Sequence, residues 1–190
     1  MGTTVSPLRL AHMKTLLLAC LLSLTVSVAQ AQDSARLVQR TALGGKVSLL
    51  VPADFAPLKP EIMDIKYRQA GRPTEVLSNE PATINIAFGH TQDAITPAQI
   101  RLAYPAMEGQ LKATYPTARW NRSELFEREG RSYFLLDFWA PALDTETRNI
   151  MVGTSVQGRF LLVSFNVTRE LEKEWGAIGE RIMNSVRVIE

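Results

Sequence analysis

From Arg36 onward, apolar and polar residues alternate with a period of two through most of the chain, and the alternating runs come in pairs around turn residues. Arg36 to Ala42 and Lys46 to Val51 flank Gly44-Gly45, with Val47, Leu49 and Val51 on one side, so the spacing predicts a hairpin. Arg119 to Phe126 and Arg131 to Ala140 flank Glu129-Gly130 as a second hairpin; Thr147 to Gln157 and Arg159 to Val167 make a third about Gly158. Glu75 to Ser78 and Thr83 to Phe88 turn at Asn79-Glu80-Pro81 and place Ile84, Ile86 and Phe88 on one face. Ser185 to Ile189 reads as a closing strand. Ala53 to Pro60 reads as a loop whose Phe55 tucks under the sheet, and Ile62 to Tyr67 fits either a short strand or a helical turn.

Twice the period changes to that of a helix. Thr96, Pro97 and Gln99 supply an N-cap, a first-turn proline and a capping-box partner, and Ile100, Ala103 or Tyr104, Met107, Leu111 and Tyr115 then recur on one face. Pro105 removes the amide that would bond to Arg101, so a kink or a restart is expected there. Thr168 is placed to cap a second helix with Leu171, Trp175, Ile178 and Ile182 on its apolar face and Glu170, Glu172 and Glu174 at its positive end. On the strand from Arg131, Phe134, Leu136 and Phe138 oppose Tyr133, Leu135, Asp137 and Trp139, so neither face is purely polar. A sheet of this kind needs cover on both sides. The expected fold is α+β: a central, mainly antiparallel sheet with a helix on each face, in one domain over residues 32–190.

The leading segment changes the length and the charge. Arg9, His12 and Lys14 form a basic flank, Leu16 to Val28 is largely apolar, and Ala29-Gln30-Ala31 is a small-x-small cleavage signal, so residues 1–31 read as a secretory signal peptide cleaved after Ala31. Met13 is an alternative start with the same mature chain. Leu17-Leu18-Ala19-Cys20 gives a competing reading, a lipoprotein box that leaves Cys20 lipidated, but only Leu16 to Ala19 precede that cysteine as an apolar region. Without Arg9 and Lys14, the remaining Lys and Arg balance the 19 Asp and Glu. A neutral mature domain has no general electrostatic reason to hold nucleic acid or an anionic membrane. The mature chain also contains no cysteine and no stretch long enough for a transmembrane helix.

The run from Asn149 to Thr168, followed by a tryptophan-containing helix and Asn184-Ser-Val-Arg-Val188, resembles the C-terminal half of PsbP-like and DcrB-like domains. Val51-Pro-Ala-Asp-Phe55 is similar to their opening strand. The resemblance implies an antiparallel sheet sandwiched by helices, and a binding or accessory role in the cell envelope or at photosynthetic membranes. It carries no catalytic residues across.

Little in the residues points to a reaction. His90 is the single histidine after the leader and the one ordinary general base near neutral pH, placed in a loop just past a strand. A hydrolase or metal-dependent enzyme would use it with an acid such as Asp93, but Gly153-Thr154-Ser155-Val156-Gln157 lacks the form of a nucleophile elbow. One histidine and no cysteine argue against zinc, and Asp144-Thr145-Glu146 lacks the ligand series of a calcium loop. No metal or cofactor is therefore expected. Asp137 lies in the most apolar strand and needs an arginine or several donors if buried. Tyr133 and Trp139 share its face, either packed beneath a helix or exposed to a partner. Arg119, Arg122, Arg128 and Arg131 interleave with Glu124, Glu127 and Glu129 as a mixed-charge surface. The expected function is a non-enzymatic, exported binding protein that contacts an envelope protein or a small ligand, with an inhibitor of an exported toxin as one version. Its contact residues would be Trp139, Tyr133, Asp137, His90 and the tip Gln157-Gly158.

Overall fold

A computed structural model of the protein describes residues 35–67, 72–142 and 145–189. The segment read as a leader, with Cys20 and the expected cleavage site, and Asp144 lie outside them. Hairpin β1 (Leu37–Ala42) and β2 (Val47–Pro52) turns through Leu43, Gly44 and Gly45, all with positive φ. A two-residue strand β3 (Ala56–Pro57) and helix α1 (Pro60–Lys66) follow, so the ambiguous segment after Pro60 is helical. Then come β4 (Glu75–Ser78), β5 (Asn85–Ala94), a 3₁₀ turn into α2 (Ile100–Thr114), β6 (Arg119–Arg128), β7 (Arg131–Pro141), β8 (Glu146–Val156), β9 (Arg159–Thr168), a second 3₁₀ turn, α3 (Glu172–Asn184) and β10 (Arg187–Val188).

Two antiparallel sheets result. The larger has seven strands in the order β3-β4-β5-β9-β8-β7-β6; the smaller is β1-β2-β10. Both long hairpins turn through two consecutive left-handed residues: Glu129 and Gly130 have φ of 52° and 72°, Gln157 and Gly158 of 48° and 71°. Two consecutive positive φ angles match the right-handed strand twist and keep each pair in register. β9, fourth of seven, is the centre. Its Leu161, Val163, Phe165 and Val167 are all buried on one face, while Phe160, Leu162, Ser164 and Asn166 on the other are half-buried.

Helices cover both faces, as expected. α2 packs on β6, β7 and β8, where Ile100, Phe134, Leu136 and Phe138 form a core with Tyr104, Met107, Leu111 and Tyr115. Gln99 Oε1 accepts from the Thr96 amide at 2.8 Å, the back-reach of the capping box. No restart occurs at Pro105: α2 runs as one helix from Ile100 to Thr114 with the proline inside it, on an exposed position. α3 packs on β8, β9 and β2, bringing Trp175 to 5.7 Å from the ring of Phe55. Gly179 lets α3 approach the sheet, since a β-carbon there would overlap the ring of Phe165.

Other expectations need correction. The last strand leaves the main sheet and pairs Arg187 with Ser48 and Val188 with Val47, because Val47, Leu49 and Val51 of β2 are fully buried and need that cover. Thr168 ends β9 and precedes a 3₁₀ turn, and its side chain does not cap the helix. β5 continues through His90 to Ala94, so His90 sits in a strand opposite Leu161 instead of in a loop. The ladder with β9 extends it past the point where apolar alternation stops.

Candidate functional site

The expected contact residues fall into three groups. Tyr133 and Asp137 lie on the α3 face of β7, at 2% and 4% exposure, so neither presents its side chain to a partner. Tyr133 stacks on Phe126 at 5.6 Å, and its hydroxyl accepts from the Val188 amide at 3.2 Å, which pins the small sheet against the large one. Trp139, on the same face, is half-buried, with the guanidiniums of Arg169 at 4.9 Å and Arg119 at 6.0 Å from its ring. Both arginines also pair with Glu146. Gln157 and Gly158 are exposed, as a hairpin tip should be, although the Gly158 carbonyl accepts from the Ile95 amide at 2.8 Å and ties the tip to the segment before α2.

His90 is half-buried, and its Nε2 lies 3.1 Å from the carbonyl of Val156. That contact places the ring as a cross-strand clamp. Asp93 is exposed further along the same strand, and its backbone amide donates to Thr91 Oγ1 at 3.1 Å. Ser155 is fully buried and donates to the Ile95 carbonyl at 2.6 Å. His90 and Ser155 are thus each occupied in holding separate segments together, while Asp93 is exposed. Among the described residues no cluster of three or more His, Cys, Asp or Glu could hold a metal ion.

Arg148 completes the Asp137 story, and sequence reading passed it over. It lies opposite Trp139 in the β7–β8 register, diagonal to Asp137, with Nε 2.9 Å from Asp137 Oδ1 and Nη2 2.5 Å from Oδ2. Asn121, at a bulge in β6, donates to the same carboxylate at 3.0 Å. From α3, Glu172 and Glu180 accept from Arg148 at 2.7 and 2.6 Å. One buried guanidinium thus binds two strands and a helix. The Asp137 hydrogen bonds, then those from the two glutamates, hold its pKa above the ordinary arginine value against the cost of burial.

The α2 face offers the open surface. A cleft of about 230 Å³ lies between α2 (Ala103, Met107, Gln110) and the end of β5 (Asp93, Ala94), floored by Phe160 of β9. From Phe160 the half-buried side of β9 continues through Leu162 and Ser164 to Asn166, changing from apolar to amide. At Asn166 the register partners are Asn85 on β5 and Asn149 on β8. A second cleft, about 450 Å³, lies between the segment Asp54 to Lys66 and the turn Ser78 to Ala82. Lys66 on its wall bonds the Ala82 carbonyl, and partial burial lowers its pKa. The larger cleft falls in the usual small-molecule range of about 300–1,000 Å³, and the smaller lies below it.

Among the described residues no helix is long and apolar enough to cross a membrane. No protein-family model matches the chain, and no curated protein matches it by sequence. Solved structures do. The cyanobacterial PsbP (CyanoP) of Synechocystis sp. PCC 6803 superposes with a TM-score of 0.57 at 12% identity, over 82% of this chain and 94% of that one. LpqN of Mycobacterium tuberculosis, described as involved in cell envelope biogenesis, gives 0.50 at 15% identity, over 83% and 92%. Identities this low speak for architecture alone, and the architecture agrees with the resemblance in the Asn149 to Val188 run: the chain has the PsbP-like fold.

Proposed function

We propose that the protein is an exported, non-enzymatic binding or accessory protein of the bacterial cell envelope, working through contacts with another envelope protein or a small ligand. The observation that carries this reading is the half-open side of β9: the central strand of a sheet is where a helix is most needed, yet its α2 face is only partly covered. A stable sheet centre left accessible suits recognition. The secretory leader supports the compartment, and the description of LpqN as a protein of envelope biogenesis agrees with it. The occupied hydrogen bonds of His90 and Ser155 favour binding over hydrolysis.

Cross-linking in intact cells that express the full chain, followed by mass spectrometry, tests the proposal. A specific envelope partner is expected; recovery of monomer alone, together with a turnover activity in the purified protein, overturns it. Intact mass of the mature chain tests the export step, with an N-terminus at Gln32 expected and a lipidated Cys20 as the competing result.

A further inference from the structure

A straight row of side chains crosses six strands on the α2 face. Ser78, Asn85, Asn166, Asn149, Phe138 and Trp120, on β4, β5, β9, β8, β7 and β6, are each the register partner of the next. The first four are uncharged hydrogen-bonding groups and the last two a stacked aromatic pair, 4.7 Å between ring centroids. The neighbouring row on the opposite face shows what this position usually carries: Leu77, Ile86, Phe165 and Ile150, all buried. Three amides in the middle of a sheet are not required by packing.

Their hydrogen bonds run one way. Asn166 Nδ2 donates to Asn149 Oδ1 at 2.7 Å, and Asn149 Nδ2 donates to the Thr147 carbonyl at 3.0 Å. At the head of the row Asn85 is 8% exposed; its Nδ2 reaches the Ala82 carbonyl at 3.4 Å, but its Oδ1 is buried without a hydrogen-bond partner. A buried acceptor left unpaired costs about 1–3 kcal/mol, so it calls for a donor. Beside it Asn166 and Asn149 are half-buried and open to an incoming group, whereas Trp120 at the far end is stacked on Phe138 with the Lys112 ammonium 5.2 Å from its ring centroid.

We infer that this row is a binding site for an uncharged polyhydroxylated ligand, a saccharide. It rests on the binding function proposed above and names the chemistry of the ligand. Carboxamides both donate and accept, which is the pattern a hydroxyl offers in return. No member of the row carries a charge to pay the desolvation of an ionic ligand. At about 4.8 Å per strand, the three amides span about 10 Å, a length that one or two sugar rings cover.

Titration of the ¹⁵N-labelled mature protein with maltose, cellobiose and N,N′-diacetylchitobiose tests this by NMR. The side-chain amide resonances of Asn85, Asn149 and Asn166, assigned by single substitutions, should move saturably with at least one sugar, at a dissociation constant in the millimolar range or tighter. Asn149→Ala and Asn166→Ala should each weaken that binding by about tenfold or more, while glucuronate does not compete. Asn166→Ser serves where a larger truncation melts the fold. The inference is overturned if none of the three sugars moves these amides, or if variants with wild-type melting curves bind as well as the parent. Absence of sugar binding alongside a cross-linked envelope partner defeats the saccharide alone; sugar binding with monomer alone in cells, plus turnover, defeats the wider function.

Discussion

Arg148 grips Asp137 with two parallel hydrogen bonds, 2.9 Å from Nε to Oδ1 and 2.5 Å from Nη2 to Oδ2, at a depth where neither side chain is more than 9% exposed. Planar fork meets planar carboxylate, which is the geometry that makes a buried pair worth its desolvation. Because Glu172 and Glu180 share the guanidinium, removing the arginine strands one buried carboxylate and loosens α3 at once.

Arg148→Leu is accordingly expected to destabilise the protein by about 3–5 kcal/mol in urea unfolding. The double variant Arg148→Leu with Asp137→Leu should lose less than the single one, since no buried carboxylate then lacks a partner. A double variant as unstable as the sum of the two singles contradicts the pairing. The raised pKa of Arg148 sets the pH window: its contribution is fully present below the ordinary arginine pKa and is lost only as pH rises beyond that, so the arginine adds no slope near neutrality.

Gly153 has a different kind of constraint. It stands opposite Phe134 on the α2 face, and a β-carbon there would sit inside the phenyl ring. Phe134 is fully buried and cannot swing away. Gly153→Ala should therefore cost about 1–3 kcal/mol by overpacking, and Phe134→Leu in the same chain should recover part of that loss, a coupling that a double-mutant cycle measures. Independent, additive losses would mean that the ring relaxes elsewhere.

These residues also mark what could be read from sequence. The hairpins were legible because Glu129-Gly130 and Gln157-Gly158 announce themselves locally, and α2 because Thr96, Pro97 and Gln99 do. Asp137 was visible as an acid in an apolar strand, but its partner was not, since any of several arginines was a candidate until the β7–β8 register placed Arg148 diagonally across from it. The asparagine row was hidden for a stronger reason. Asn149 and Asn166 meet across the β8–β9 hairpin, but Asn85 joins them only when β5 pairs with β9, a contact between segments some 80 residues apart. Likewise, a two-residue β10 against β2 carries too little pattern to reveal a second sheet.

Glu129 pays for the turn it forms. A non-glycine residue at φ 52° costs about 1 kcal/mol, and asparagine tolerates that region far better than glutamate. Glu129→Asn should raise stability by some tenths of a kcal/mol to about 1 kcal/mol, with an unchanged slope in urea. The distant contact to Arg187, at 4.0 Å and largely exposed, offsets little of this. A fall in stability would show that Glu129 does more than shape the hairpin.

Tyr67, at the end of α1, gives an alkaline test of the same kind of local environment. Burial holds its phenol above the ordinary value of about 10, because the phenolate would lose more water than the neutral ring. The sign follows from proton counting: with the folded pKa raised, the folded state keeps its proton where the unfolded chain has released it. The associated stability is full below about pH 10 and is lost as pH rises through the folded value. The ¹³Cζ resonance of Tyr67, identified by its absence in Tyr67→Phe, should have its midpoint above pH 10, and stability should decline less steeply in the variant than in the parent beyond that pH. A midpoint at or below 10 would place the ring in water and remove this contribution.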